Sequence, residues 1–453
     1  MFKFKFRDVD MLHGSVADKF LLFALPLAFT GVFEQLFNTA DTMVLGQFVG
    51  KNAMAAVGNN APAISLMVML FLGLSLGANV VIAQHIGARD HAGAKKAVHT
   101  ALLLAIVVGV LLTIIGELFS NRILLLLAVP EEVMGMARDY LQIYFLGLPA
   151  LAVYNFESAI FRSSGDSRTP LYSLIAASGL NIMFNLLSVL VFDFGVAGVA
   201  AATVVSNFVN AGILWWSLRR RTTFIHLDYE LLRWDTAELK AILRVGIPAG
   251  VQGMVFCLSN LLVQSAINSL GTDVMAASAA AFAIEINVYC FLSAIGQATT
   301  TFIGQNYGAR NIERCFRITR IALMTEVIVM LVLGGITMCF SVPLLHLFTE
   351  DATVVQLGIV RLEYVTLLQC INGVTEILSG TLRGYGYSTP PAVIALCTIC
   401  GTRVFWVYTV FTSFPSFDML MLSYPASWLL TGILLMGAYR FYHNSLIGRF
   451  VTA

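Results

Sequence analysis

Apolar residues in this chain run in long blocks rather than in alternation. Ala101–Gly116, Leu171–Phe192 and Val327–Phe340 contain no charged residue. With their flanks, such blocks approach or exceed the roughly 20 residues that a helix needs to cross a ~30 Å hydrocarbon layer. A transmembrane barrel would instead show alternating segments of about ten residues, and the chain has none of that pattern. Hydropathy and helix breakers together predict twelve spans, near 18–45, 53–83, 96–118, 136–160, 170–192, 196–218, 240–267, 275–304, 315–340, 356–380, 391–412 and 420–442. The fold class is therefore all-α, an integral membrane protein of two six-helix halves. Residues 1–218 form the expected N-lobe, 219–239 a cytoplasmic linker and 240–453 the C-lobe.

Composition strengthens this picture. Hydrophobic residues make up 58% of the 453 and charged residues only 12%, whereas soluble domains carry about 25% charge. The net charge of +1 gives no footprint for nucleic acid, so the lipid bilayer is the expected partner. The start of the chain mixes basic, acidic and aromatic residues without a small-residue cleavage site, which predicts an uncleaved first helix. All seven cysteines lie between Cys257 and Cys400, mostly inside apolar segments, where packing accounts for them. Cys397 and Cys400 share a span, with no supporting redox or metal motif.

Positive charge sets the orientation. Of the 27 Lys and Arg residues, Lys51, Arg122, Arg138 and Arg361 fall on one side and Arg403 inside a span, leaving 27 − 5 = 22 on the side of the N-terminus. Basic loops stay in the cytoplasm, so both termini are expected there, in a multi-pass protein of the cell (inner) membrane.

The chain also repeats itself. Ile82-Ala-Gln-His-Ile-Gly-Ala-Arg-Asp90 recurs as Ile303-Gly-Gln-Asn-Tyr-Gly-Ala-Arg-Asn311, and Ala53-Met-Ala-Ala56 as Val274-Met-Ala-Ala277, both at an offset of 221. Arg162, Gly165, Ser167 and Pro170 match Arg383, Gly386, Ser388 and Pro391 at the same offset, while Pro26, Gly31 and Asn38 match Pro248, Gly253 and Asn260 at 222. Six spans per copy is an even number, so the copies are parallel repeats, an arrangement transporters use to build a central cavity. In the repeated Gly-Ala-Arg, Gly is expected to permit the helix-closing turn and Arg to sit at headgroup level. Pro26 and Pro248 either kink spans 1 and 7 or begin them.

A charge at membrane depth costs about 2.5 kcal/mol upward and is a functional candidate by default. Asp41 is the first such candidate, with Glu34 and Asn38 on the same helical face of span 1. Span 5 offers Asn181 and Asn185 at i, i+4, and span 6 offers Thr203. One carboxylate among amide and hydroxyl oxygens suits a proton or a Na⁺ ion; the competing reading puts Asp41 in the outer loop before Gly46 and Gly50. Val263 stands where a second-half aspartate would be, and that half has Glu285, Glu376 and Arg403 instead. A buried arginine needs a carboxylate, so Arg403 is expected to pair with Glu285 or Glu376, either binding substrate or holding the lobe together. Glu157 is expected to pair near Arg162.

Leu36-Phe-Asn-Thr-Ala-Asp-Thr-Met-Val-Leu-Gly46, the paired Gln-x-x-Gly-Ala-Arg motifs, Phe161–Pro170, Ser178–Asn185 and Ala201–Ser206 resemble the multidrug and toxic compound extrusion (MATE) family, in its prokaryotic branch. The resemblance implies a V-shaped pair of lobes exporting cationic or amphiphilic compounds against inward H⁺ or Na⁺, with no cofactor, and the chain is expected to act as a monomer. It also implies an N-lobe site joining Asp41, Asn181, Asn185 and Thr203. Related members often carry aspartate where this chain has Asn185, which removes a charge, weakens the case for Na⁺ at Asp41 and makes Glu34 the candidate second carboxylate. Two rival classes remain: a lipid-linked oligosaccharide flippase, which usually has more spans or several basic cavity residues, and a membrane-embedded enzyme, which needs a clustered nucleophile, histidine set or metal constellation. The seven histidines are scattered.

Overall fold

The computed structural model describes residues 8–127 and 129–451, with 447–451 by backbone alone. Among the described residues there are only helices and their connections. Helices α1 (Val16–Val44), α2 (Lys51–Gly87) and α3 (His91–Leu126) lead to a pair, α4 (Glu131–Leu146) and α5 (Leu148–Ser163), and then to α6 (Arg168–Leu186) and α7 (Gly195–Arg220). The second half begins with α8 (Thr236–Asn268), α9 (Thr272–Gly308) and α10 (Ile312–Cys339), followed by the short α11 (Ser341–His346). Its remaining spans are built of shorter pieces: α12 (Ala352–Arg361) and α13 (Gln369–Gly384); α14 (Thr389–Ala395), α15 (Gly401–Phe405) and α16 (Phe411–Ser413); α17 (Phe417–Met421) and α18 (Ser423–Val451). Turns of π-helix join several of them.

Eleven helical stretches are long and apolar enough to cross a membrane, and α4 with α5 makes a twelfth if the bent pair is one span. That pair is the expected fourth span, bent by 48°. Gly147 ends α4, and Pro149 follows in the first turn of α5, where its missing N–H costs no helical bond.

The repeat is visible in the backbone. Positive φ occurs at Gly50 and Gly271 (114° and 108°), at Arg89 and Arg310 (58° each) and at Gly165 and Gly386 (96° and 87°), each pair 221 residues apart. The turn after α2 corrects the expectation for Gly-Ala-Arg: Gly87 and Gly308 stay helical, and the left-handed residue is the arginine. Asp90 N donates to His85 O (2.9 Å) and Arg89 N to Ile86 O (3.0 Å), and Asn311 and Arg310 repeat the pattern on Asn306 and Tyr307 (2.9 Å each). These are Schellman turns, which satisfy the last carbonyls of the helix. Asp90 then caps α3 by accepting from Gly93 N at 2.9 Å, and that bond holds its carboxyl below the ordinary range.

Two compact units divide the chain inside helices α1 and α8, at Gly31/Val32 and Gly250/Val251, rather than in the segment 219–239. Packing gives the reason. The first turns of α1 place Phe20 and Phe23 edge-on against Phe302 of α9, at 5.4 and 5.8 Å. The first half of α8 lies so close to α2 that a Cβ at Gly73 would fall on the backbone of Gly250, the small-residue contact that membrane helices use. Residues 219–239 belong to the first unit, where Ile225 and Leu227 are buried, Lys96 pairs with Asp235 at 3.2 Å, and Arg221 binds Asp166 and, at 3.0 Å, Asp8.

Candidate functional site

Asp41 sits inside helix α1 and is 4% exposed, so it is not a residue of the outer loop. Asn185 Nδ2 donates to its Oδ1 at 2.6 Å, and Thr203 Oγ1 donates to its Oδ2 at 2.8 Å. Asn185 Nδ2 also reaches Asn181 Oδ1 (3.0 Å), and Asn181 Nδ2 reaches Thr203 Oγ1 (3.4 Å). Three helices thus converge on one carboxylate. The i, i+4 spacing puts both asparagines on one face of α6, and both are fully buried. Helices α1 and α6 each run into a π-helical turn just beyond the cluster, Leu45–Val49 and Leu187–Val191, a feature that recurs near functional sites.

The other two candidates from span 1 are elsewhere. Glu34 accepts from Tyr154 OH at 3.2 Å, and Asn38 is exposed, its carbonyl accepting from Thr42. Neither joins Asp41. Helical periodicity places residues on a face, but a seven-residue separation is also about 10 Å of rise, enough to give each end a different neighbour. Sequence reasoning missed the stacked Tyr140 and Tyr144 (ring centroids 6.1 Å apart), of which Tyr140 packs in the core cluster containing Val44, Leu45 and Val199. Glu157 does not pair with Arg162: it is fully buried with neither carboxylate oxygen hydrogen-bonded.

In the second unit the expected partner of Arg403 is corrected. Glu285 accepts from Arg361 Nε at 3.0 Å and Glu376 from Arg383 Nη1 at 3.0 Å. Both carboxylates are already taken. Arg403 instead donates to Asn260 Oδ1 at 2.7 Å and lies over the Tyr424 ring at 4.3 Å. Arg361, placed by sequence among the outer charges, is 3% exposed; the mostly apolar stretch around it was the available signal. Among the described residues no group of three or more His, Cys, Asp or Glu is arranged to hold a metal.

Repeated membrane helices around a buried carboxylate that accepts from one amide and one hydroxyl fit the transporter class. The chain belongs to the multidrug and toxic compound extrusion family: the MatE family profile matches residues 26–187 and 248–409, one copy per half. It is 30% identical over 432 residues to the probable multidrug resistance protein YoeA of Bacillus subtilis, covering 93% of this chain and 92% of that one. A probable multidrug resistance protein NorM of Thermotoga maritima is 29% identical over 385 residues, 84% of this chain and 82% of that one. The fold is similar to a solved outward-facing multidrug resistance MATE family transporter of the MOP superfamily, with TM-score 0.90 and 23% identity, over 98% of this chain and 99% of that one.

Proposed function

We propose that this antiporter exports cationic or amphiphilic organic compounds across the cell membrane, and that Asp41 exchanges a proton to drive the export. The observation that carries this reading is the Asp41 carboxylate, almost wholly buried, with one oxygen held by Asn185 and the other by Thr203. Buried in a membrane helix, a carboxylate without a neighbouring cation is a natural site for a proton. A protonated Asp41 needs an acceptor for its new O–H. Asn185 Oδ1 is buried without a hydrogen bond, so rotation of that amide would supply one. That rotation withdraws Asn185 Nδ2 from Asn181 Oδ1, so the exchange rearranges the contacts between α1 and α6. A Na⁺ ion would instead need several oxygen ligands and more negative charge, yet Asp41 is met by N–H and O–H donors and Glu34 is engaged by Tyr154. The relatives named as multidrug resistance proteins support the substrate class.

The coupling ion is tested by transport of a cationic dye into inverted vesicles. Accumulation is expected in sodium-free medium under an imposed pH gradient. If uptake stops there and returns only with Na⁺, the proton reading is wrong.

Both termini are proposed to be cytoplasmic, on the strength of the 22 Lys and Arg residues on the N-terminal side. A phosphatase reporter fused after Arg221 should be inactive; activity in the periplasm would reverse the topology.

A further inference from the structure

We infer that the second unit holds a binding site for a small monovalent anion, centred on Arg403. This residue is fully buried in α15, between the π-helical turns Leu396–Cys400 and Trp406–Val410. Its Nη1 is used by Asn260 Oδ1 (2.7 Å) and reaches Ser259 Oγ at 3.4 Å, but Nε and Nη2 have no acceptor. The guanidinium lies over the Tyr424 and Phe256 rings, 4.3 and 5.4 Å from their centroids. Those rings soften the desolvation of a cation without cancelling its charge.

A second buried guanidinium stands beside it. Arg361 gives Nε to Glu285 (3.0 Å) and Nη1 to Ser278 Oγ (2.7 Å), and it too faces Tyr424, at 5.8 Å. Both guanidinium groups lie against the Tyr424 ring, and Glu285 is bonded to Arg361 alone, so two positive charges stand close together and no carboxylate is bonded to Arg403. Arginine does not give up its proton, and an uncompensated buried charge is costly. One turn beyond Tyr424 on α18, Trp428 is 2% exposed and its indole N–H also lacks an acceptor. The orphaned groups of Arg403 and Trp428 are all donors. An acceptor-only ligand of charge −1 fits that chemistry, and the smallest such ligands are a halide or a carboxylate group.

The repeat sharpens the contrast. Val263 stands in place of Asp41, and Arg403 follows Thr402, the counterpart of Asn181. Where the first unit holds a carboxylate among donors, the second holds at Arg403 donors that no carboxylate meets.

The test uses the full-length protein in detergent, in sodium salts of equal ionic strength. Chloride or formate should raise the Tm saturably over gluconate, and Arg403→Met should abolish that shift. A response to chloride assigns a free halide, whereas a response to formate alone assigns a small carboxylate. No anion-specific shift in the wild type, or an undiminished shift in Arg403→Met, overturns the site. Should the variant fail to fold, wild-type crystals decide the matter: an anomalous peak from bromide, or difference density for formate, is expected beside Nε and Nη2 of Arg403, and its absence at a concentration that saturates the Tm shift refutes the inference.

Discussion

Asp41→Asn is expected to abolish ion-coupled export, bringing dye accumulation down to that of empty vesicles, while the protein inserts and folds normally. The substitution is nearly isosteric, and volume-conserving changes are the best tolerated in a packed interior. One oxygen remains to accept from Asn185, at the position now 2.6 Å from its Nδ2. The new amide nitrogen faces Thr203 Oγ1, which can turn its own proton to Val199 O, already at 3.0 Å. Every local contact therefore has a replacement, and only the ability to take up and release a charge is lost. Thr203→Val should weaken rather than abolish export, because Asn185 still holds the carboxylate. Full export by a well-expressed Asp41→Asn protein would remove Asp41 from the coupling mechanism.

The second large effect lies in the other unit. Arg361→Ala and Glu285→Ala should each destabilise it by about 3–5 kcal/mol, because each leaves a buried charge without its partner. Glu285→Ala should be the worse of the two, since it leaves two buried guanidinium groups against the Tyr424 ring and removes the one carboxylate bonded to either. A matched removal, Arg361→Met with Glu285→Leu, takes out both charges and keeps volume, so its loss should fall well below the sum of the single substitutions. Thermal unfolding of the wild type, Arg361→Met, Glu285→Leu and their combination closes the double-mutant cycle. Strictly additive losses would mean that the 3.0 Å contact contributes no coupling energy.

The spans were legible in the sequence because a hydrocarbon solvent leaves few options: backbone polar groups must be satisfied within each segment, so apolar length alone marks a helix. The repeat register was legible because the turns between spans need particular residues, and the paired positive-φ positions at Gly50 and Gly271 and at Gly165 and Gly386 fall on the offset that the loop motifs define. In the first unit, Asp41 stood out as a charge in an apolar span and Asn181 with Asn185 as an i, i+4 pair. That they meet Asp41 on a shared carboxylate came from the family resemblance, because nothing in local periodicity says which helix lies opposite a given face. The same gap explains the misplaced partners. Glu34 faces Tyr154, Arg403 faces Asn260, and Glu285 is held by Arg361 from a span 76 residues away. Segment 219–239 read as a linker from its charge, yet its charges are the ones that tie it down, through Arg221, Asp228 and Asp235.

In a proton-coupled exporter of this kind, binding of exported substrate and protonation of Asp41 are linked. Substrate-triggered proton release tests it most directly: a cationic dye is added to purified, weakly buffered protein and the pH of the medium is followed. The wild type is expected to release protons in proportion to the dye bound, and Asp41→Asn to bind dye without release. Equal release from both proteins, or none from a wild type that binds dye and transports it, would rule out linkage through Asp41.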